Sequence, residues 1–276
     1  MAGSGSAREQ VRALGAATRR EVAAAVAHAR GLDAAGWEAP SWCDGWAVRD
    51  VLSHLTEGTE RYHLQTRAAL DGQAVPEFSM EERNARRGVV KAMAPEQMLG
   101  ELERRSNAFW DDVEGRSEEA LAGMALPHVG GRTLSGPQVC RLRLNEFMLH
   151  RWDMVAARDP GATLDAESAG LALDYNLGSA ARMAKAPALE GLEATYLCQV
   201  SGPGGGPVAI VCRGGKVEVA REAPERADVT LRLPAETLNR LLWGRVGVER
   251  ALADGTIQVE GDREPVRALG RVFGNR

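Results

Sequence analysis

The chain has 276 residues, 44% of them apolar and 26% charged, enough for one large domain or two ordinary ones with real cores. A net charge of −4 and a pI near 5.8 supply no basic field for nucleic acid or anionic lipid, so nucleic-acid and membrane partners are set aside.

Residues 1–6, Met-Ala-Gly-Ser-Gly-Ser, are small and expected to be flexible, and they lack the basic-then-apolar order of a secretory signal. No apolar run approaches the ~18–20 residues needed to cross a bilayer. Residues 7–30 are rich in Ala and Arg, and Val11, Leu14, Val22 and Val26 recur at helical spacing, which predicts a first helix. Asp44 and Gly45 read as the cap region of a second helix running to about residue 69, with Val48, Val51, Leu52 and Leu55 on its apolar face. Residues 71–76 form a connector. A third helix is expected over 95–113, with Met98, Leu102, Phe109 and Val113 near one stripe. Residues 130–137 read as a loop, and a fourth helix as running from about 137 to 157, stopped by Asp159-Pro160-Gly161. Four long helices joined in this way predict a four-helix bundle.

Residues 166–184 are a fifth helical candidate, after which the texture changes. Residues 193–199 and 208–212 look like strands around the Gly/Pro-rich stretch 202–207, and 217–219 and 229–233 alternate with period two. Residues 235–243 read as a short helix, 256–260 as a last strand and 263–273 as a last helix. The expected fold class is α+β: a helical bundle over residues 1–160 and a separate α+β domain over 161–276, with no internal repeat. Four cysteines, Cys43, Cys140, Cys198 and Cys212, are scattered without a CxxC pair, so reduced thiols in a cytoplasmic protein are expected.

Two short stretches carry chemistry. Asn145-Glu146-Phe147-Met148-Leu149-His150-Arg151-Trp152-Asp153 places Glu146, His150 and Asp153 on one helical stripe. Asp44 to His54 supplies a second histidine, His54, from another predicted helix. Two imidazoles and a carboxylate can hold a catalytic divalent metal and leave a coordination position open, and bundle cores house such ligands on facing helices. The ordinary reading stands beside it: a Glu/His pair at i, i+4 is most often a surface or polar-core contact, and His54 a half-buried histidine. The pattern is not the HExxH of zinc proteases.

Trp46 through His54, the Glu146-x-x-x-His150-x-x-Asp153 helix and the predicted bundle resemble the DinB-like, mycothiol-dependent maleylpyruvate isomerase family over nearly the whole chain. The back half resembles the sterol-carrier-like domain often fused to that bundle. The resemblance rests on Asp228-Val229-Thr230-Leu231-Arg232-Leu233, Leu241-Leu242-Trp243-Gly244-Arg245 and Gly255-Thr256-Ile257-Gln258-Val259-Glu260-Gly261-Asp262. It implies that His54, Glu146 and His150 bind Zn2+ or another divalent ion, and that Asp153 supports them or makes a bundle hydrogen bond. It also implies that Arg83, within Ser79-Met80-Glu81-Glu82-Arg83-Asn84, and Arg245, within Gly244-Arg245, face the active site, where a guanidinium suits a carboxylate. In an arginine-rich chain the ordinary reading of either is a solvated side chain. His28, His63 and His128 match no family ligand and are expected to be structural or exposed. Cys43 could approach the site, but the simplest reading is a buried neutral thiol. Trp42, Trp46 and Trp152 read as core or pocket wall.

The chemistry implied is thiol activation. A metal can deprotonate the thiol of mycothiol, whose free pKa near ~8.5 leaves it mostly protonated at neutral pH, and hold it beside a small electrophile. Because the second domain looks more fully sterol-carrier-like than the plain isomerase pattern, the expectation is transfer of the thiol to an electrophilic metabolite, of the kind found in secondary metabolism. Mycothiol-dependent cis–trans isomerisation of maleylpyruvate is the alternative. A non-catalytic metal-containing regulatory module is a third reading. Expected partners are a small-molecule thiol and an electrophilic substrate.

Overall fold

The computed structural model describes residues 5–274. Of the flexible lead-in expected over 1–6, positions 1–4 lie outside the described residues. The chain divides into two compact units, residues 1–162 and 163–276.

The first unit is built on four long helices. Helix α1 (Ala7–Arg30) opens on a reciprocal cap, in which Ser6 Oγ accepts from Glu9 N–H and Glu9 Oε2 accepts from Ser6 N–H. The short α2 (Ala34–Trp37) follows. Helix α3 (Val48–Leu70) starts later than the Asp-Gly signal implies. Asp50 caps it by accepting from Ala47 N–H at 3.1 Å. Asp44 and Gly45 instead form a tight turn ahead of the helix, closed by Trp46 N–H donating to the Cys43 carbonyl at 3.0 Å. Gly45 has φ +74°, the left-handed value that the third position of such a turn requires and that glycine adopts without strain.

Periodicity does not reveal helix α4 (Met80–Lys91), because it buries only Val90 and so shows no apolar stripe. Its start is nonetheless written locally, as a Ser79/Glu82 capping box. Helix α5 (Pro95–Glu114) begins on Pro95, whose fixed φ suits a first turn. A short α6 (Glu118–Gly123) follows, and a small antiparallel hairpin pairs β1 (Leu126–His128) with β2 (Arg132–Leu134), the latter within the residues 130–137 expected to be loop. Helix α7 (Gly136–Ala156) packs against both α1 and α3, while α5 packs against α1 and α3. The stripes meet as expected: Val22, Val26, Val51, Leu52, Leu55, Leu102 and Phe147 share one core.

In the second unit α8 (Ala166–Leu177) stops at Gly178, and the expected single helix continues only as the short α9 (Ala180–Met183) and α10 (Ala186–Leu189). Strands β3 (Ala194–Ser201), β4 (Gly206–Arg213), β5 (Lys216–Ala220), β6 (Val229–Pro234) and β7 (Gln258–Glu260) form one sheet in the order β5-β4-β3-β6-β7. Only the β3–β6 pair is parallel. Period-two alternation turns Tyr196, Cys198 and Val200 of β3, and Val229, Leu231 and Leu233 of β6, onto the core. Helices α11 (Ala235–Leu242) and α13 (Glu264–Val272) add Leu238, Leu241 and Leu269 to that core, with Val248 from α12 (Val248–Ala253). The α+β class follows directly. Among the described residues, no helix is long and apolar enough to cross a membrane.

Leu102 is fully buried in the bundle core, whereas Leu64 is 43% exposed. Leu102→Ala is expected to destabilise the first unit by about 2–5 kcal/mol in urea unfolding, and Leu64→Ala by less than about 0.5 kcal/mol.

Candidate metal centre

Helix α7 is buried on nearly every face, with Leu142, Arg143, Leu144, Phe147, Met148, Leu149, Trp152 and Asp153 all enclosed. Two of its side chains, Glu146 and His150, reach the facing helix α3 and meet His54 there. His54 Nε2 lies 3.1 Å from Glu146 Oε2, and His150 Nε2 lies 3.9 Å from the same oxygen. The two imidazole rings are 4.9 Å apart, centroid to centroid. One donor atom from each of the three residues falls within 4.8 Å of the others. The three side chains keep 21%, 26% and 13% of their surface exposed, so an exogenous ligand can reach them.

The protonation states suit a cation. Burial lowers the His54 pKa, against the opposing pull of Glu146, and keeps the ring neutral. Burial alone would raise the Glu146 pKa, but the hydrogen bond to His54 and the charges of His150, His54 and Arg143 hold its carboxyl far below the usual carboxylate range. Two imidazoles, His54 held toward its neutral form, and an ionised carboxylate are the donor types a catalytic divalent ion takes.

Behind this set, His150 Nδ1 lies 2.9 Å from Asp153 Oδ2. A carboxylate oxygen only accepts, so Nδ1 carries the proton and Nε2 offers its lone pair to the cluster. The expectation that Asp153 supports His150 matches this contact. The Trp46 ring forms a wall, 5.2 Å from His54 and stacked on His150 at 6.2 Å. Trp42 meets Trp152 edge-on at 5.1 Å.

Several neighbours went unread in the sequence. Arg143, one turn before Glu146, is 1% exposed, donates to Thr59 Oγ1 at 2.8 Å and lies 5.3 Å from the Tyr62 ring centre. Arg87 sits over Trp46 at 5.2 Å. Cys43 brings its thiol within 3.1 Å of Asp153 Oδ2, so it is half-buried at the site's edge and not an ordinary core thiol. The helical spacing of Arg143 to Glu146 was legible, but an arginine on a polar stripe carries no signal of its own. None of the four cysteines is in a disulfide. Burial pushes the Cys198 and Cys212 thiols up, to about 12 and about 11, so both stay protonated and inert.

The family comparison bears on this geometry. The model of the mycothiol maleylpyruvate isomerase N-terminal domain matches residues 18–155, half of the chain. The chain belongs to this family. The model of the SCP-2 sterol transfer family matches residues 176–274. No curated protein matches. Among solved structures, the mycothiol-dependent maleylpyruvate isomerase overlaps with a TM-score of 0.59 at 17% identity, over 86% of this chain and 90% of that one. A histidine-to-alanine mutant of that isomerase overlaps at 0.61 and 15% identity, over 91% and 92%. At those identities the overlap shows a shared fold.

The two arginines lie as follows. Arg83, on α4, lines a cavity of about 440 Å³ with Arg61, Tyr62, Gln65, Phe78 and His128, and its buried Nε has no hydrogen-bond partner. Arg245 follows α11 in the second unit, donating from its backbone to the Arg240 carbonyl at 2.8 Å and from Nη1 to the Trp243 carbonyl at 2.9 Å. Of the other histidines, His63 pairs with Asp112 at 3.2 Å and His28 is partly buried with a lowered pKa, chiefly from burial; neither stands in the three-donor cluster.

The wild-type protein is expected to retain about one Zn2+ per chain after dialysis, measured by elemental analysis. The His54→Ala/His150→Ala double variant is expected to lose it. At free Zn2+ near 100 times its Kd, the wild type is expected to gain about 2.7 kcal/mol of stability and the double variant none. Full occupancy in the double variant would refute the cluster as a metal site.

Proposed function

We propose that this protein is a mycothiol-dependent isomerase, converting a small cis-unsaturated carboxylate of the maleylpyruvate kind to its trans form. The observation that supports this most is the convergence of His54, Glu146 and His150 from two facing helices, within a bundle of the mycothiol maleylpyruvate isomerase family. The comparisons favour isomerisation over the thiol transfer expected from the sequence, since the isomerase names attach to both the family and the matched fold.

In this reading His54, Glu146 and His150 hold one divalent ion, with zinc suited to two imidazoles and a carboxylate. A bound ion supplies Lewis acidity that lowers the pKa of a coordinated thiol into the neutral range. Mycothiol, when bound, would supply the sulfur nucleophile that reversible addition to a cis double bond requires.

The remaining roles belong to the chain itself. Asp153 keeps the His150 proton on Nδ1, so that Nε2 stays available. Trp46 covers both imidazoles and limits the approach of water. Arg83, half-buried with an unpartnered Nε, is assigned a substrate carboxylate on the family resemblance; the cavity it lines with Arg61 and Tyr62 is not lined by His54, Glu146 or His150. Arg245 is assigned the second anion contact on the resemblance of Gly244-Arg245 alone. Gly244 itself is fixed by its turn: it has φ +71°, and a Cβ there would sit 2.7 Å from the Phe273 carbonyl oxygen, so only glycine fits.

Incubating the zinc-loaded protein with mycothiol and maleylpyruvate is expected to give the trans acid, with the thiol recovered unchanged by mass spectrometry. Accumulation of an S-conjugate would replace isomerisation by transfer. Turnover without any low-molecular-weight thiol would remove both. Arg83→Ala is expected to raise KM about 10- to 100-fold, the equivalent of ~1.5–3 kcal/mol for a lost charged hydrogen bond.

A further inference from the structure

Cys43 stands outside the three-donor set, yet the structure ties it to that set through one carboxylate. The segment 42–46 is pinned to α7 by bonds to Asp153. Trp42 N–H donates to the Asp153 carbonyl at 2.9 Å, and the Cys43 thiol donates to Asp153 Oδ2 at 3.1 Å. The same Oδ2 accepts from His150 Nδ1 at 2.9 Å. Asp153 is fully buried, and the Cys43 sulfur lies 3.8 Å from Nδ1, filling the space beside the ring edge. The turn is braced from within, because Ser41 N–H and Ser41 Oγ both donate to the Trp46 carbonyl at 2.8 Å, and Cys43 N–H donates to Ser41 Oγ at 3.2 Å.

We propose that Cys43 is a positioning residue, whose thiol holds the Asp153 carboxylate in the rotamer that keeps the His150 proton on Nδ1 and its Nε2 turned toward His54 and Glu146. An oxygen shared by donors from two separate elements cannot swing about its side-chain torsion without breaking one of the bonds. A thiol is a weak donor, but a bond to a buried carboxylate is charge-assisted and strengthened by its surroundings. Loss of the sulfur removes one tether and opens space beside the ring. The consequence for metal affinity rests on the divalent-ion reading above; the consequence for the ring does not. Cys43, His150 and Asp153 also lie close enough to be ligands themselves. That use would take the proton off Nδ1 and so compete with the arrangement proposed.

The test uses Cys43→Ala and Cys43→Ser in the full chain, with folding checked by thermal unfolding. In metal-free protein with 15N-labelled histidine, long-range 1H–15N spectra report which ring nitrogen of His150 carries the proton. The wild type and Cys43→Ser are expected to show the Nδ1-protonated form, and Cys43→Ala a mixture with the Nε2-protonated form. In competition with a chromophoric chelator, Cys43→Ala is expected to bind Zn2+ about tenfold more weakly, and Cys43→Ser to recover most of the loss. An unchanged tautomer in Cys43→Ala overturns the proposal. So does a thiolate-to-metal charge-transfer band in Co2+-loaded wild type that Cys43→Ser lacks, because the thiol would then be a ligand. If the wild type takes up no Zn2+ while Cys43→Ala still shifts the tautomer, the metal reading fails and the positioning role stands.

Discussion

A helix enclosed on nearly every side can carry charge only where each ionisable group finds a partner, and α7 carries several such groups between Arg143 and Asp153. Arg143, Glu146, His150 and Asp153 are compatible with burial because they satisfy one another or reach α3. Glu146 meets His54 at 3.1 Å, His150 meets Asp153 at 2.9 Å, and Arg143 donates to Thr59 at 2.8 Å. Lone ionised groups in that position would each cost several kcal/mol. The packing of α1 and α3 against α7 therefore forces its polar residues into a compact array. A cluster of two imidazoles and a carboxylate is what that constraint leaves at the half-exposed end.

The turn over residues 43–46 finishes the site from outside the helices. Its closure depends on glycine at position 45, and its attachment to Asp153 brings Trp46 over both imidazoles. One short segment thus supplies an aromatic cover and a tether for the carboxylate that backs His150. Because the cover is an indole ring stacked on His150 and tilted over His54, it limits access without supplying a competing donor. The three donor side chains stay partly exposed, which separates this cluster from a closed structural metal site.

Much of the architecture was legible because its signals are local. Val11, Leu14, Val22 and Val26 marked α1, and the alternation in β3 and β6 marked the core of the sheet. Helix α4 escaped because an element that buries one residue leaves no stripe, although its capping box was in view. The long helix expected over 166–184 broke at Gly178, where the chain turns so that two shorter helices can pack on the sheet domain. Asp44-Gly45 resembles a helix start as much as a turn. The choice fell to the turn because Asp50 caps α3 from within and frees the earlier residues to reach α7.

By itself the sequence determined the four long helices of the first unit, the main strands of the second, the two-part organisation and the placement of Glu146, His150 and Asp153 on one face, since each depends on periodicities of 3.6 or 2 residues within a single element. Only the tertiary structure decided which of those faces meet. His54 and Glu146 are 92 positions apart, and Cys43 and Asp153 are 110 apart, yet each pair is in contact. Such distances close through helix packing, and no local pattern encodes them. The same is true of Arg143 and Arg83: one arginine is enclosed and the other stands half-buried in a cavity wall. In sequence they are indistinguishable from the chain's other arginines, because burial is a property of what surrounds a residue.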